Sequence, residues 1–117
     1  MKTKVYSYKK CSTCVKALRY LDQQGVSFDS RDIVEEPPTK TDLEIVLKSY
    51  NGDLRRLFNT SGQVYRELKL KDRMNDMTKT EALKLLSQNG KLVKRPFVVK
   101  GKKGLVGFKE AEWKSFF

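Results

Sequence analysis

Histidine is absent from this sequence. That absence removes imidazole general bases, Cys–His pairs, Ser–His–Asp triads and histidine metal ligands, so any chemistry must rest on cysteine, carboxylate or lysine. Cysteine is scarce as well: there are two, Cys11 and Cys14, three positions apart. A disulfide closing so short a loop adds little stability, because the gain grows with loop length. The pair is therefore expected to serve redox chemistry in a reducing compartment. No apolar stretch approaches the roughly 18 residues that a membrane helix needs. The opening MKTKVYSYKK lacks the apolar core of about 7–15 residues of a secretory signal. A cytoplasmic protein with no membrane contact is the expectation. Repeats, linkers and low-complexity segments are also missing.

The sequence has 117 residues, which is the size of one domain, read here as 1–117. Hydrophobic residues make up 38%, and Trp113, six Phe and five Tyr supply enough apolar bulk for a core. The net charge is +11, unevenly spread. From Arg66 to Lys103 there are 12 basic and 4 acidic side chains, whereas residues 35–65 carry 4 and 5. No nucleic-acid motif accompanies the excess, which leaves a solvated basic face, an acidic partner protein or an anionic substrate as its readings.

Residues 3–8, rich in β-branched and aromatic types, read as a strand. After Lys9-Lys10, Val15, Leu18 and Leu21 recur at helical spacing with Ala17 on the same side, and Gly25 is a stop signal. Residues 26–33 alternate at Val26, Phe28 and Ile33 as a second strand, so the opening is β-α-β with a parallel pair. Thr39 caps a helix carrying Leu43, Val46 and Leu47, with Asp42 at its third position and Asn51-Gly52 at its end. Leu54, Leu57 and Phe58 form a shorter apolar group, and Val64, Tyr65 and Leu68 suggest a further turn of helix. Thr78-Lys79-Thr80-Glu81 is a capping box that opens another helix, closed by Asn89-Gly90. Residues 37–91 thus read as a helical insertion. Phe97-Val98-Val99 and Leu105-Val106-Gly107-Phe108 are expected to pair as a hairpin around Gly101–Gly104, before a last helix bearing Trp113 and Phe116.

Cys11-Ser12-Thr13-Cys14 falls where a strand hands over to a helix. Free N–H groups and the helix dipole favour an anion there, so the Cys11 thiol is expected below its ordinary ~8.5. Cys14, one turn on, can resolve a mixed disulfide, and Ser12 and Thr13 are small enough to turn amides or hydroxyls toward the site. No second CxxC and no histidine complete a zinc site, so no metal is expected. Arg95-Pro96 directly precedes a strand and is a cis-proline candidate, with Arg95 available as a bidentate anion clamp.

These residues carry a resemblance. The chain is similar to the ArsC/Spx family of thioredoxin-like proteins over nearly its whole length. The likeness rests on Cys11-Ser12-Thr13-Cys14, Glu36-Pro37-Pro38-Thr39, Leu57-Phe58-Asn59-Thr60-Ser61-Gly62 with Tyr65-Arg66-Glu67-Leu68, Val93-Lys94-Arg95-Pro96 and Val106-Gly107-Phe108-Lys109. It implies an α/β thioredoxin-like fold with a helical insertion between the second and third strands. In the family's arsenate reductases, a cysteine at the place of Cys11 attacks arsenate, three arginines hold the oxyanion, and glutathione with glutaredoxin completes the reduction. Arg95 matches one of those arginines; Asn59 and the Phe108-Lys109 pair stand where the others would lie. Those reductases commonly lack Cys14. The resemblance therefore implies a thiol–disulfide oxidoreductase with Cys11 as nucleophile, Cys14 as resolver, and Ser12, Thr13, Asn59, Arg95, Pro96 and Lys109 around a thiol protein or small anionic substrate. No bound cofactor is expected; the external reductant would be glutathione with glutaredoxin, or thioredoxin. The Spx branch implies the alternative, a redox-sensing transcriptional regulator that binds RNA polymerase, with Gly52 in the contact region. NTSG and YREL place the chain nearer the ArsC-like branch.

Overall fold

The computed structural model describes residues 3–117. Strand β1 (Thr3–Ser7) leads into helix α1 (Ser12–Gln23), which returns the chain to β2 (Phe28–Asp32), parallel to β1. Helices α2 (Lys40–Ser49), α3 (Gln63–Glu67) and α4 (Lys79–Gln88), with short 3-10 turns between and after them, precede β3 (Phe97–Lys100). β3 and β4 (Lys103–Val106) form an antiparallel hairpin, and α5 (Glu110–Phe116) closes the chain. The sheet order is β2-β1-β3-β4, with β3 antiparallel to β1. This is the thioredoxin-like arrangement, with a helical segment between the second and third strands.

Side chains alternate across the sheet and build two cores. Val5, Val98 and Leu105 face α1 and α5, where they meet Ala17, Leu21 and Trp113. Tyr6, Phe97, Val99 and Val106 face the helical segment, where Leu43, Val46, Leu57, Leu86 and Leu92 cover them. Helix α5 is too short to persist alone in water. Trp113 anchors it: the ring is fully buried, and its Nε1–H donates to the Gly107 carbonyl at 2.9 Å.

The cap residues act as their sequence positions predict. The Thr39 hydroxyl accepts the Asp42 amide at 3.1 Å, and Thr78 does the same for Glu81. The second half of each interaction goes elsewhere. The Glu81 carboxylate turns to Arg73 at 3.4 Å. The buried Asp42 carboxylate reaches β1, accepting Tyr6 Oη–H at 2.7 Å and pairing with Lys4 Nζ at 2.9 Å. Burial, reinforced by the Asp42 hydrogen bond and charge, pushes the Tyr6 hydroxyl well above its ordinary range.

Three readings of the sequence are corrected. The strands are shorter than expected, β1 ending at Ser7 and β2 covering only Phe28–Asp32. Val15 is 45% exposed; the buried stripe of α1 is Cys14, Ala17 and Leu21, because Cys14 takes the inward position next to it. Gly90 follows the end of α4 at Gln88, as the Asn89-Gly90 stop predicts. It opens a 3-10 turn pressed against β2's exit, where a Cβ would run into the Ile33 carbonyl. Gly104 belongs to β4, not to the hairpin loop, which is the two residues Gly101-Lys102. A Cβ on Gly104 would run into Val46, so its absence lets α2 lie flat on β4.

That contact also closes the sheet edge. The outward Gly104 and Val106 amides donate to Ser49 Oγ at 2.9 Å and Tyr50 Oη at 3.0 Å, leaving β4 less free to pair with another chain. Replacing Gly90 by Ala should lower the unfolding free energy by about 3 kcal/mol, the upper end for an overpacked site. Urea denaturation measures it, and an unchanged midpoint would contradict the close approach to Ile33.

Candidate active site

Strand register sets where the site is. Tyr6 lies opposite Phe97, and Phe97 opposite Val106. The end of β1, the start of β3 and the end of β4 therefore share one edge, and the segments 8–11, 94–96 and 107–109 converge there. A fourth segment is tied alongside by an isolated bridge between Phe58 and Val93. The Asn59 amide donates to the Leu92 carbonyl at 2.7 Å and the Lys94 amide to the Leu57 carbonyl at 2.8 Å. Between these segments lies a cleft of about 670 Å³.

Cys11 sits in extended conformation as the N-cap of α1, and its Sγ accepts the Cys14 amide at 3.4 Å. Partial burial alone would push this thiol up. Hydrogen bonds from the Cys14 thiol and amide, together with the Arg95 guanidinium, outweigh burial and hold Cys11 below the ordinary thiol range. Cys14 is 1% exposed. Burial, then its hydrogen bond to Cys11, push it up to about 12. The two thiols are thus unequal: Cys11 is the half-buried sulfur at the cleft, and Cys14 is buried and outside its lining.

Thr13, Asn59, Arg95 and Lys109 line the cleft with Cys11. The Arg95 guanidinium lies over the Tyr8 ring, 5.0 Å from its centroid. Asn59 accepts the Ser61 hydroxyl at 3.4 Å. Lys109 is exposed at the N-cap of α5. Ser12 and Pro96 are not among the lining residues. Ser12 is exposed on the first turn of α1, and Pro96 is buried one position behind Arg95. The Arg95-Pro96 peptide is cis, and the Pro96 carbonyl accepts the Gly107 amide at 2.9 Å.

Arg55 and Arg56 also line the cleft, although no motif singles them out, as does Lys94 of the Val93–Pro96 motif. The trace of the two arginines in the sequence is their adjacency between Leu54 and Leu57, and a 3-10 turn carries them into the lining of the cleft that Cys11 also lines. Gly52 lies elsewhere. With Asn51 it ends α2 at positive φ, and it borders a separate hollow with Leu47, Lys48 and Leu54. No helix among the described residues is long and apolar enough to cross a membrane.

Comparison with known proteins gives a consistent result. The family model described as ArsC family matches residues 6–116. The uncharacterized protein YusI of Bacillus subtilis (strain 168) is 43% identical over 108 residues, which is 92% of this chain and 92% of that one. The regulatory protein MgsR of the same strain is 31% identical over 107 residues, covering 92% of this chain and 83% of its own. Among solved structures, the crystal structure of an ArsC-family-related protein from Bacteroides fragilis aligns with a TM-score of 0.92 at 43% identity, over 100% of this chain and 98% of that one.

Site-resolved alkylation tests the inequality of the thiols. Iodoacetamide reacts with thiolate, whose fraction rises with pH, so a lowered pKa moves the rise to lower pH. Cys11 should reach half its maximal rate below pH ~8.5, the ordinary thiol value. Cys14 should stay unmodified through that range. Arg95→Ala should move the Cys11 midpoint upward. A midpoint that Arg95→Ala leaves in place would remove the guanidinium from the account.

Proposed function

This chain belongs to the ArsC family, and on that premise we propose that it is a thiol–disulfide oxidoreductase working through the Cys11–Cys14 dithiol. The observation that carries the reading is Cys11 Sγ at the start of α1, hydrogen-bonded by Cys14 and open to a cationic cleft.

The exchange runs in two steps. The Cys11 thiolate attacks one sulfur of a substrate disulfide; a Cys11–substrate S–S bond forms, the substrate S–S bond breaks, and its other half leaves as a thiolate. Cys14 then attacks Cys11 Sγ, forming the Cys11–Cys14 bond and releasing the second half as a thiolate. The Cys14 proton passes to a departing thiolate. Two electrons have moved from the dithiol to the substrate, and an external thiol, glutathione with glutaredoxin or thioredoxin, reverses the oxidation. The high pKa of Cys14 suits this order. While Cys11 is a thiolate, Cys14 serves as its hydrogen-bond donor. Once Cys11 is tied up in a mixed disulfide, that anion is gone, and one of the causes holding the Cys14 proton lapses.

Arsenate suits the site less well, since Arg95 fills one of the three expected guanidinium positions and Asn59 and Lys109 stand at the other two.

A second reading has its own support. The 31% identity to a regulatory protein favours a Spx-like redox switch that binds RNA polymerase, with Gly52 exposed on the surface for contact. A pull-down with RNA polymerase in both redox states tests it, and absence of retained polymerase in each would remove it.

For the oxidoreductase, Cys11→Ser should abolish disulfide reduction. Cys14→Ser should still complete the first attack and accumulate the mixed disulfide on Cys11, visible by intact mass. Failure to form a Cys11–Cys14 disulfide across a redox titration would end the reading.

A further inference from the structure

Arg56 has a setting that the exchange chemistry does not use. Its guanidinium lies over the Tyr50 ring, 4.5 Å from the centroid. Tyr50 is itself held, because its Oη accepts the Val106 amide of β4 at 3.0 Å. A guanidinium stacked by its face keeps its edge N–H donors free, and a stacked arginine gives up less rotamer freedom on binding. Arg95 is built the same way on Tyr8. The two arginines line one cleft, and neither forms an ion pair among the described residues. Arg55, Lys94 and Lys109 add positive charge there, and Glu112 is the one acid among the described lining residues.

We propose that Arg56, held over the Tyr50 ring, is a specificity-determining residue that binds a carboxylate of the substrate, so that the cleft selects disulfides bearing carboxylates near the sulfur. The inference rests on the oxidoreductase reading and adds to it the class of disulfide taken. A planar fork with free edge donors matches a carboxylate through two parallel hydrogen bonds, which a lysine ammonium at the same place could not do. Arg56 and Cys11 line the same cleft, so a substituent of the disulfide that Cys11 attacks shares that space with the Arg56 guanidinium.

Single-turnover reduction by the pre-reduced protein tests this with three disulfides of similar size: 3,3′-dithiodipropionate (anionic), bis(2-hydroxyethyl) disulfide (neutral) and cystamine (cationic). The wild type should prefer the anionic disulfide, and Arg56→Gln should lower the anionic-to-neutral rate ratio about tenfold, the loss of one charge-assisted pair. Arg56→Lys should recover only part of it. Lys102→Gln, which removes a charge from the hairpin at the opposite end of the sheet, should leave the ratio in place. A ratio unchanged by Arg56→Gln, or lowered equally by Lys102→Gln, would overturn the assignment. A binding arm separates this from the premise. In a Cys11→Ser background, which performs no exchange, 3,3′-dithiodipropionate should shift Arg56 and Tyr50 resonances in NMR spectra and bind about tenfold more weakly when Arg56→Gln is added. Turnover of none of the three disulfides with this binding intact would sink the oxidoreductase reading alone; absence of binding would sink the carboxylate site.

Discussion

The register that sets Tyr6 opposite Phe97 and Phe97 opposite Val106 decides which strand ends share an edge. Shifting a strand by one residue would turn its side chains to the other face. Here it would exchange Val98 and Leu105, packed against Trp113, with Phe97 and Val106, packed under the helical segment. Both cores therefore hold the register, and the register holds the site. Cys11 follows β1, Arg95 precedes β3 and Lys109 follows β4, so these distant positions come together only because both faces of the sheet are filled.

Within the site, two sulfurs of identical chemistry are driven apart by their surroundings. Cys14 fills an inward position on α1 that an apolar residue could occupy, and burial keeps its proton on. Cys11 caps the same helix, where an amide, a thiol and a guanidinium all favour negative charge. No imidazole is needed. The Cys14 thiol is one of the groups that favour negative charge on Cys11, so the acidities of the two sulfurs are linked.

The opposite wall of the cleft depends on the way the sheet edge is closed. Ser49 and Tyr50, at the end of α2, satisfy the outward amides of β4. The absence of a side chain at Gly104 lets α2 come close enough for those bonds. Tyr50 then presents its ring to Arg56. A contact that protects an edge strand thus also holds the ring that lies under a cation of the cleft.

Much of this is local and could be read from the chain. The caps Thr39 and Thr78, the hairpin turn, the CxxC at a strand-to-helix junction and the order of elements rest on short-range chemistry: a hydroxyl two or three residues from an unpaired amide, a glycine where φ must be positive, apolar residues at the period of their element. The misread positions are those where a distant segment decides. Val15 and Cys14 compete for one inward place, and only packing against the sheet shows which wins. Gly104 looks like a turn glycine until Val46 presses on it. Arg55 and Arg56 carry no motif, and only packing brings them into the cleft that Cys11 lines. By itself the sequence determined the CxxC, its helix and the family. The tertiary structure decided which charges surround Cys11, because cations some 40 positions apart share a cleft only after sheet and helices have packed.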